Sequence, residues 1–272
     1  SSFLGYAHTI YTSLNAMYLV SNEYRRYYDF LNYKEQQTIY KFALDENLSY
    51  KGKGSVEGRV LNQFSMSEKD DYLRVATTSG WSWFNGGTTS NSLYTLKENQ
   101  DTLTVEGTLT GLGHEGERIY SVRFVGSRAF VVTFRQTDPL YTIDLSDPIQ
   151  PKLIGELSIP GFSTYLHPID DDRLLSIGRD ADEFGRSTTL QVQLFDISDF
   201  SNPKLADKIQ VGDTSSYSEA EYNHKAFSYR ANDLVFGIPY RDYTNSKYQE
   251  NFSNFQIQDY KINTLKTLSS TE

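Results

Sequence analysis

The sequence predicts an all-β fold built from repeated four-stranded sheets, and three observations support this prediction. First, the chain of 272 residues is 14% aromatic, with 21 Tyr and 16 Phe, residues that pack well on pleated, half-buried surfaces. Second, apolar and polar residues alternate, as in YSVRF (residues 120–124) and LQVQLF (190–195). A period of two is that of a strand, not of a helix. The third observation is an internal repeat.

The repeat is clearest in two segments that share an Asp-Ser-Asp turn. They read LYTIDLSDPIQPKLIGEL (140–157) and VQLFDISDFSNPKLADKI (192–209), and weaker copies cover 38–48, 92–103 and 255–265. Two further short strands, separated by a polar turn, precede each copy, which gives four strands per repeat. The alignment predicts five equivalent positions: Phe42, Tyr94, Ile143, Phe195 and Tyr260.

Five repeats of four antiparallel strands predict a β-propeller, because each sheet alone leaves an apolar face that its neighbours must bury. A β-sandwich also has many short strands, but it does not require one motif five times. We expect a single domain over residues 1–272, closed by five sheets alone or with sheets outside this chain. The predicted repeats cover approximately 8–56, 57–112, 118–159, 162–212 and 224–268.

The recurring Asp residues have a structural and a catalytic interpretation. Asp144 with Asp147, and Asp196 with Asp199, lie where a third strand turns into a fourth. Asp and Ser side chains bond nearby backbone amides in such turns. A fold needs its turn in every repeat whereas an active site is needed once, so repetition favours the structural interpretation.

Composition excludes several classes of function. The net charge of −9 and the pI near 5.0 argue against nucleic acid binding, which requires a basic surface. The sequence contains no run of 18 apolar residues, no signal-peptide pattern at its start and no Cys, so we expect no transmembrane segment in this chain and no disulfides.

Residues 116–182, GERIYSVRFVGSRAFVVTFRQTDPLYTIDLSDPIQPKLIGELSIPGFSTYLHPIDDDRLLSIGRDAD, resemble the secreted β-propeller family of bacteria and archaea that is distantly related to WD-repeat proteins. LQVQLFDISDFSNPKL and EAEYNHKAFSYR extend the resemblance, which is good over about 118–240. It implies a propeller fold and an extracellular, cell-surface or periplasmic location. It implies no catalytic residues.

Long connections are expected on one face of the fold, at 22–37, 78–91, 179–189 and 240–254. Long loops on a rigid scaffold commonly carry recognition, and exposed aromatic rings suit sugars or protein partners. The alternative is that the rings pack among the loops themselves. The candidate ligand-binding residues are Tyr27, Tyr28, Trp81, Trp83, Phe84, Tyr240 and Tyr243.

Two sets of polar residues are candidates for a metal site or a channel lining. Asp180, Asp182 and Glu183 loosely resemble a Ca²⁺ loop, but the other positions of such a loop are missing and a solvated acidic loop is the favoured interpretation; no other cofactor is predicted. His8, His167 and His224 lie in or near the first strand of a repeat, where imidazoles would line a central channel. The alternative for each is a hydrogen-bonded structural His.

The sequence therefore predicts an exported binding or scaffolding module whose long-loop face takes a cell-envelope protein or glycan. One alternative is a polysaccharide hydrolase or lyase with carboxylates at the mouth of the channel. Another is a structural part of a larger envelope protein. We assign no catalytic residue, and an enzyme is the less favoured interpretation.

Overall fold

The structure is a computed structural model that describes residues 6–22, 35–80, 89–134, 138–181, 187–244 and 247–270. Over these residues the chain forms β-strands and three short 3₁₀ helices, Gln63–Ser65, Glu219–Glu221 and His224–Ala226, and no α-helix. The predicted all-β fold of four-stranded antiparallel sheets is confirmed.

The first two repeats share one nine-stranded sheet. Strands β4 and β9, the last of each repeat, are joined by a parallel bridge between Lys53 and Thr102. The first repeat contains β1 (Thr9–Thr12), β2 (Ala16–Asn22), β3 (Gln36–Ala43) and β4 (Tyr50–Glu57). The second contains β5 (Arg59–Val60), β6 (Met66–Lys69), β7 (Tyr72–Ser79), β8 (Ser90–Asn99) and β9 (Thr102–Leu112).

Each later repeat forms a separate four-stranded sheet whose strands follow in chain order. The third sheet contains β10 (Arg118–Val125), β11 (Arg128–Phe134), β12 (Asp138–Asp144) and β13 (Lys152–Ile159). The fourth contains β14 (Phe162–Pro168), β15 (Arg173–Ala181), β16 (Ser187–Asp196) and β17 (Lys204–Gln210). The fifth contains β18 (Ser228–Arg230), β19 (Val235–Thr244), β20 (Lys247–Gln258) and β21 (Lys261–Ser269).

The chain divides into two compact units. One comprises Ser1–Phe130 and Ile143–Leu153, and the other Val131–Thr142 and Ile154–Glu272. A core cluster of the first unit contains residues of both its first two repeats, among them Val20, Ile39 and Val75. In the second unit the fourth and fifth sheets each bury an apolar face. The single domain over residues 1–272 stays a prediction.

A β-bulge marks the same position in four repeats. Where the third strand pairs with the fourth, the register shifts at Phe42, Leu96, Phe195 and Phe255. Two predicted equivalents are therefore wrong. Tyr94 lies two residues before Leu96 on the same face of β8, and Tyr260 lies beyond the end of β20. Alternation repeats every second residue, so it does not fix the position of a residue along its strand.

A close contact recurs at these bulges between one sheet and the next. Thr95 pairs with Gly107, and the Thr95 hydroxyl donates to the Pro148 carbonyl at 2.5 Å. A Cβ built on Gly107 would lie 2.3 Å from the Pro148 oxygen. The glycine therefore lets the turn of the third sheet approach the backbone of the second.

The same contact recurs twice with other residues. The Thr142 hydroxyl donates to the Phe200 carbonyl at 2.6 Å, and a Cβ on Gly155 would lie 2.7 Å from the Ser201 oxygen. In the fourth sheet Asp207 replaces the glycine and its carboxylate accepts the Ile262 N–H at 2.8 Å. In the first sheet a Cβ on Gly52 would lie 2.5 Å from the carbonyl oxygen of Asp101. Close contacts of this kind thus join the five repeats in four successive pairs.

The structural interpretation of the repeated Asp residues is confirmed. Asp144 Oδ1 accepts the Ser146 N–H at 2.8 Å and Asp147 Oδ1 that of Ile149 at 3.0 Å. Asp196 Oδ1 likewise accepts the Ser198 N–H at 3.0 Å. These carboxylates close the turns that dock on the preceding sheet.

Candidate functional site

A cleft of about 560 Å³ lies on the fifth sheet, within the second unit. We name it the hairpin cleft because the hairpin of β19 and β20 supplies half of its lining. The lining consists of Tyr217, Glu219, Tyr222, Pro239, Tyr240, Arg241, Glu250, Asn251, Phe252, Leu268, Ser269 and Ser270.

The hairpin occupies a segment that the sequence predicted to be a loop. Strands β19 and β20 pair continuously from Val235–Gln256 to Thr244–Lys247, so only residues 245–246 lie between them. The predicted loop at 240–254 is therefore wrong. The stretch Tyr-Arg-Asp-Tyr is polar enough to resemble a loop, but tyrosines favour strands and pair across them. Tyr240 and Tyr243 lie on a rigid strand.

An arginine and three tyrosines cluster at the end of this hairpin. The Tyr243 and Tyr248 rings lie opposite each other with centroids 4.9 Å apart, and these residues are 49% and 63% exposed. The Arg241 guanidinium lies 5.6 Å from the Tyr248 centroid and 5.7 Å from that of Tyr217. It donates to the Tyr217 hydroxyl at 2.8 Å and pairs with Glu250. Both hydrogen bonds raise the pKa of Arg241, and the one with Glu250 has the larger effect.

The connection before the fifth sheet holds Tyr217 in place. Tyr217 and Arg241 exchange two backbone hydrogen bonds, of 3.1 and 2.9 Å. Ser218 caps the short helix Glu219–Glu221. Glu221 accepts both arms of the Arg179 guanidinium, at 2.7 and 2.9 Å. The edge of the cleft is therefore a fixed structure in which Glu221 has a structural role.

The cleft combines groups that suit recognition. Exposed tyrosines offer flat apolar surface with polar edges. The guanidinium of Arg241 and the carboxylate of Glu250 offer hydrogen-bond donors and acceptors near those rings. Such a set is chemically suited to a ligand that has both apolar faces and hydroxyl groups.

Several predicted site residues lie outside the described part of the chain. They are Tyr27, Tyr28, Trp81, Trp83 and Phe84 of the aromatic set, and Asp182 and Glu183 of the acidic set. Their assignment stays a prediction.

Asp180 of the acidic set lies on β15 and has protein partners. Its carboxylate accepts hydrogen bonds from the Lys208 ammonium at 3.2 and 3.3 Å, and lies 3.5 Å from the amide nitrogen of Gln210. The described residues contain no group of three or more His, Cys, Asp or Glu able to hold a metal ion.

The histidines occupy separate local environments. His8 precedes β1 and its Nε2 lies 3.0 Å from the Gln37 amide nitrogen; burial lowers its pKa. His167, on β14, packs against the rings of Phe227 and Tyr229 with centroids 4.8 and 4.7 Å away. His224 begins a 3₁₀ helix before β18.

Sequence reasoning missed Arg241, Tyr217 and Glu250. The signal that could have found Arg241 and Glu250 was the alternation on both sides of Asn245-Ser246, which is typical of a hairpin with a short turn. Tyr217 had no such signal, because an isolated bridge to Arg241 brings it to the cleft.

Comparison with known proteins gives relatives and structural neighbours. An uncharacterized protein of Methanocaldococcus jannaschii is 41% identical over 246 residues, which are 88% of this chain and 36% of the relative. One of Archaeoglobus fulgidus is 43% identical over 205 residues, 75% of this chain and 30% of the relative. The chain thus spans about a third of the length of these relatives.

Solved structures similar to this chain include Sqt1 from Chaetomium thermophilum and the β-propeller domain of Nup133 from Vanderwaltozyma polyspora. Both have 10% identity and a TM-score of 0.43. The match covers 93% of this chain and 68% of Sqt1, and 96% of this chain and 91% of the Nup133 domain.

No helix in the described residues is long and apolar enough to cross a membrane.

A family profile described as "Beta propeller domain" matches residues 1–271. With the repeated four-stranded sheets described above, this match establishes that the chain belongs to the β-propeller domain family.

Proposed function

We propose that this β-propeller is a binding module of the cell envelope that holds an oligosaccharide in the hairpin cleft. The observation that carries the proposal is the position of Arg241 between the rings of Tyr217 and Tyr248 at the edge of a 560 Å³ cleft. A sugar ring could stack on exposed Tyr243 or Tyr248 while the Arg241 guanidinium and the Glu250 carboxylate bond its hydroxyls.

The cell-envelope location rests on the resemblance to secreted propellers. The hydrolase or lyase alternative requires two carboxylates at a defined separation, and we assign no such pair.

The test is calorimetric titration of the chain with oligosaccharides of N-acetylglucosamine and of galacturonic acid. We expect one class to bind, and Arg241→Ala or Tyr248→Ala to raise its Kd about 10-fold or more, a loss of about 1.4 kcal/mol. Tyr6→Ala is the matched control, because Tyr6 is also an exposed tyrosine and lies outside the cleft.

Binding that is equally weakened by all three variants would contradict the proposal, and so would a lack of binding at millimolar sugar. Thermal unfolding gives an independent measurement, since a ligand at 100 times its Kd stabilises a protein by about 2.7 kcal/mol.

A further inference from the structure

Two tripeptides of the sequence have the Asn-x-Ser pattern that accepts an N-linked glycan, NLS (residues 47–49) and NFS (251–253). We call each of them a sequon. The pattern alone does not distinguish the two, because both have an Asn, a residue other than Pro, and a Ser. An Asn that carries a glycan must be exposed in the folded protein, since the glycan is bulky and hydrated. Burial and hydrogen bonding therefore decide between them.

The second sequon lies inside the fifth sheet. Asn251 is on β20, between β19 and β21, and is 7% exposed. Its side-chain nitrogen donates to Asp242 Oδ2 at 2.8 Å and to the Gln249 carbonyl at 3.3 Å. Ser253 is 3% exposed, and its hydroxyl lies 2.7 Å from that of Thr267. A glycan on Asn251 would break these contacts, so the folded sheet excludes it.

The first sequon lies in the turn between β3 and β4, where Asn47 is exposed. Other groups close this turn. The Ala43 N–H donates to the Ser49 carbonyl at 2.8 Å, and Asp45 Oδ1 accepts the Asn47 N–H at 3.1 Å and the Ser49 N–H at 3.0 Å. Among the described residues the Asn47 side-chain amide has no hydrogen-bond partner. A substituent on its nitrogen therefore breaks no contact of the fold.

Apolar side chains next to Asn47 are exposed as well. Leu44, Leu48 and Tyr50 are 45%, 38% and 45% exposed, and each lies within three residues of Asn47 in the chain. Clustered apolar side chains on a surface mark a place where another group covers them. The apolar faces of sugar rings pack on such side chains while the sugar hydroxyls stay in water. A glycan attached to Asn47 is placed to cover this turn.

We propose that Asn47 carries an N-linked oligosaccharide, donated by a lipid-linked oligosaccharide through an oligosaccharyltransferase of the cell that makes the chain. The side-chain nitrogen of Asn47 attacks the anomeric carbon of the first sugar, and the bond from that carbon to the lipid phosphate breaks. The amide gives one of its two protons to the transferase. The products are an N-glycosidic bond and the free lipid phosphate, and nothing is oxidised or reduced.

The inference rests on the envelope location in the proposed function, because N-linked glycans are attached to exported proteins. It does not rest on the hairpin cleft, since Asn47 belongs to the first compact unit and the cleft to the second. Asn47→Gln should leave the sugar affinity of the cleft unchanged. A cleft that binds no sugar would leave the glycan on Asn47 in place, so the two proposals fail separately.

The test is mass spectrometry of tryptic peptides of the full-length protein, isolated from the envelope and cytoplasmic fractions of the cells that naturally express it. Cleavage after Lys41 and Lys51 releases residues 42–51, with the first sequon, and cleavage after Lys247 and Lys261 releases residues 248–261, with the second. We expect most copies of the first peptide to have a mass increase equal to a whole number of sugar residues. The second peptide should have its unmodified mass.

Variants expressed in the same cells identify the modified residue. Asn47→Gln and Ser49→Ala should abolish the mass increase, because each change destroys the sequon. Ser49→Thr preserves the sequon and should keep the glycan. Asn251→Gln is the matched control, because it removes the buried sequon, and it should leave the mass of peptide 42–51 unchanged.

An unmodified peptide 42–51 in the envelope fraction would overturn the inference and leave the envelope location intact. Unmodified protein found in the cytoplasmic fraction alone would overturn both. A mass increase that persists in Asn47→Gln would place the sugar on another residue of the peptide, against the inference. A glycan on Asn251 in place of Asn47 would refute the argument from burial.

Discussion

Glu68→Gln should destabilise the first unit through a buried network between its first two repeats. The Glu68 carboxylate accepts from the hydroxyls of Ser13 and Tyr18, the latter at 2.6 Å, and lies 3.1 Å from the Lys41 ammonium. Lys41 also pairs with Glu98 at 3.0 Å. The side chains of Glu68 and Lys41 are each 11% exposed, so solvent screens this pair weakly.

The expected magnitude follows from the three donors. A hydrogen bond to a charged group contributes about 1.5–3 kcal/mol and a neutral one about 0.5–1.5, so an uncharged amide weakens each contact by roughly 1 kcal/mol. Lys41 retains Glu98, which avoids the larger cost of an unpaired buried charge. We expect a loss of about 2–3 kcal/mol, or a Tm lower by about 4–12 °C.

The pH dependence separates charge from packing. Burial acts to raise the pKa of Glu68, but hydrogen bonds from Ser13, Tyr18 and Lys41 outweigh it and lower the pKa below its ordinary value of 4.5. A carboxyl whose pKa is lower in the folded state stabilises the fold above its ordinary pKa, and this contribution is lost as pH falls through the folded value. The difference between wild type and variant should therefore be full at about pH 7 and shrink below about pH 4.

Urea unfolding at several pH values measures this difference. Glu106→Gln is the control, because Glu106 is exposed and accepts one hydrogen bond, from Tyr72 at 2.9 Å. A Glu68→Gln loss below about 0.5 kcal/mol, the usual range for a surface change, would refute the argument. A loss that persists unchanged in acid would show that shape, not charge, is what the site requires.

Two further predictions concern the contacts between sheets. Gly107→Ala should cost about 1–3 kcal/mol, as overpacking does, because its Cβ would meet a carbonyl oxygen at 2.3 Å. Thr108→Ala, at the exposed neighbouring position of β9, is the control and should cost less in the same urea titration. Equal losses would contradict the close-approach argument. Glu221→Gln should lower the unfolding free energy by about 1–2 kcal/mol, because it weakens the two hydrogen bonds that Glu221 accepts from Arg179. Glu219→Gln is the exposed control and should leave thermal unfolding nearly unchanged. If Glu221→Gln has no effect either, the Arg179–Glu221 pair does not stabilise this connection.

The repeats were predictable because strand patterns and turn chemistry are local. The alternation around Phe195 and the Asp196 turn can be read directly from the residues, and the structure has both. The bulges were not predictable, because the extra residues, Glu106 in β9 and Leu265 in β21, leave the alternation of the third strands unchanged. The alignment failed at Tyr94 and Tyr260 for another reason, since a period of two does not fix the position of a residue along its strand.

The candidate site was only partly predictable. Aromatic enrichment identified Tyr240 and Tyr243, but the hairpin that orients them depends on cross-strand pairing, which polar side chains concealed. Arg241 and Tyr217 are joined by long-range contacts. No local pattern predicts that kind of contact, because it depends on how one connection packs against a later strand.

The two ends of the fourth and fifth sheets meet different structural demands. Where the third strand turns into the fourth, one repeat contacts the next through a close backbone approach or through a carboxylate that accepts a backbone N–H, as at Gly107 and Asp207. At the hairpin end of the fifth sheet, β19 is held to the preceding connection by the backbone pair of Tyr217 and Arg241. The tyrosines beyond that pair, Tyr243 and Tyr248, are exposed. Substitutions of these two tyrosines should therefore change the surface of the hairpin without disturbing the buried Phe255, because exposed side chains at a strand end contribute little to the core.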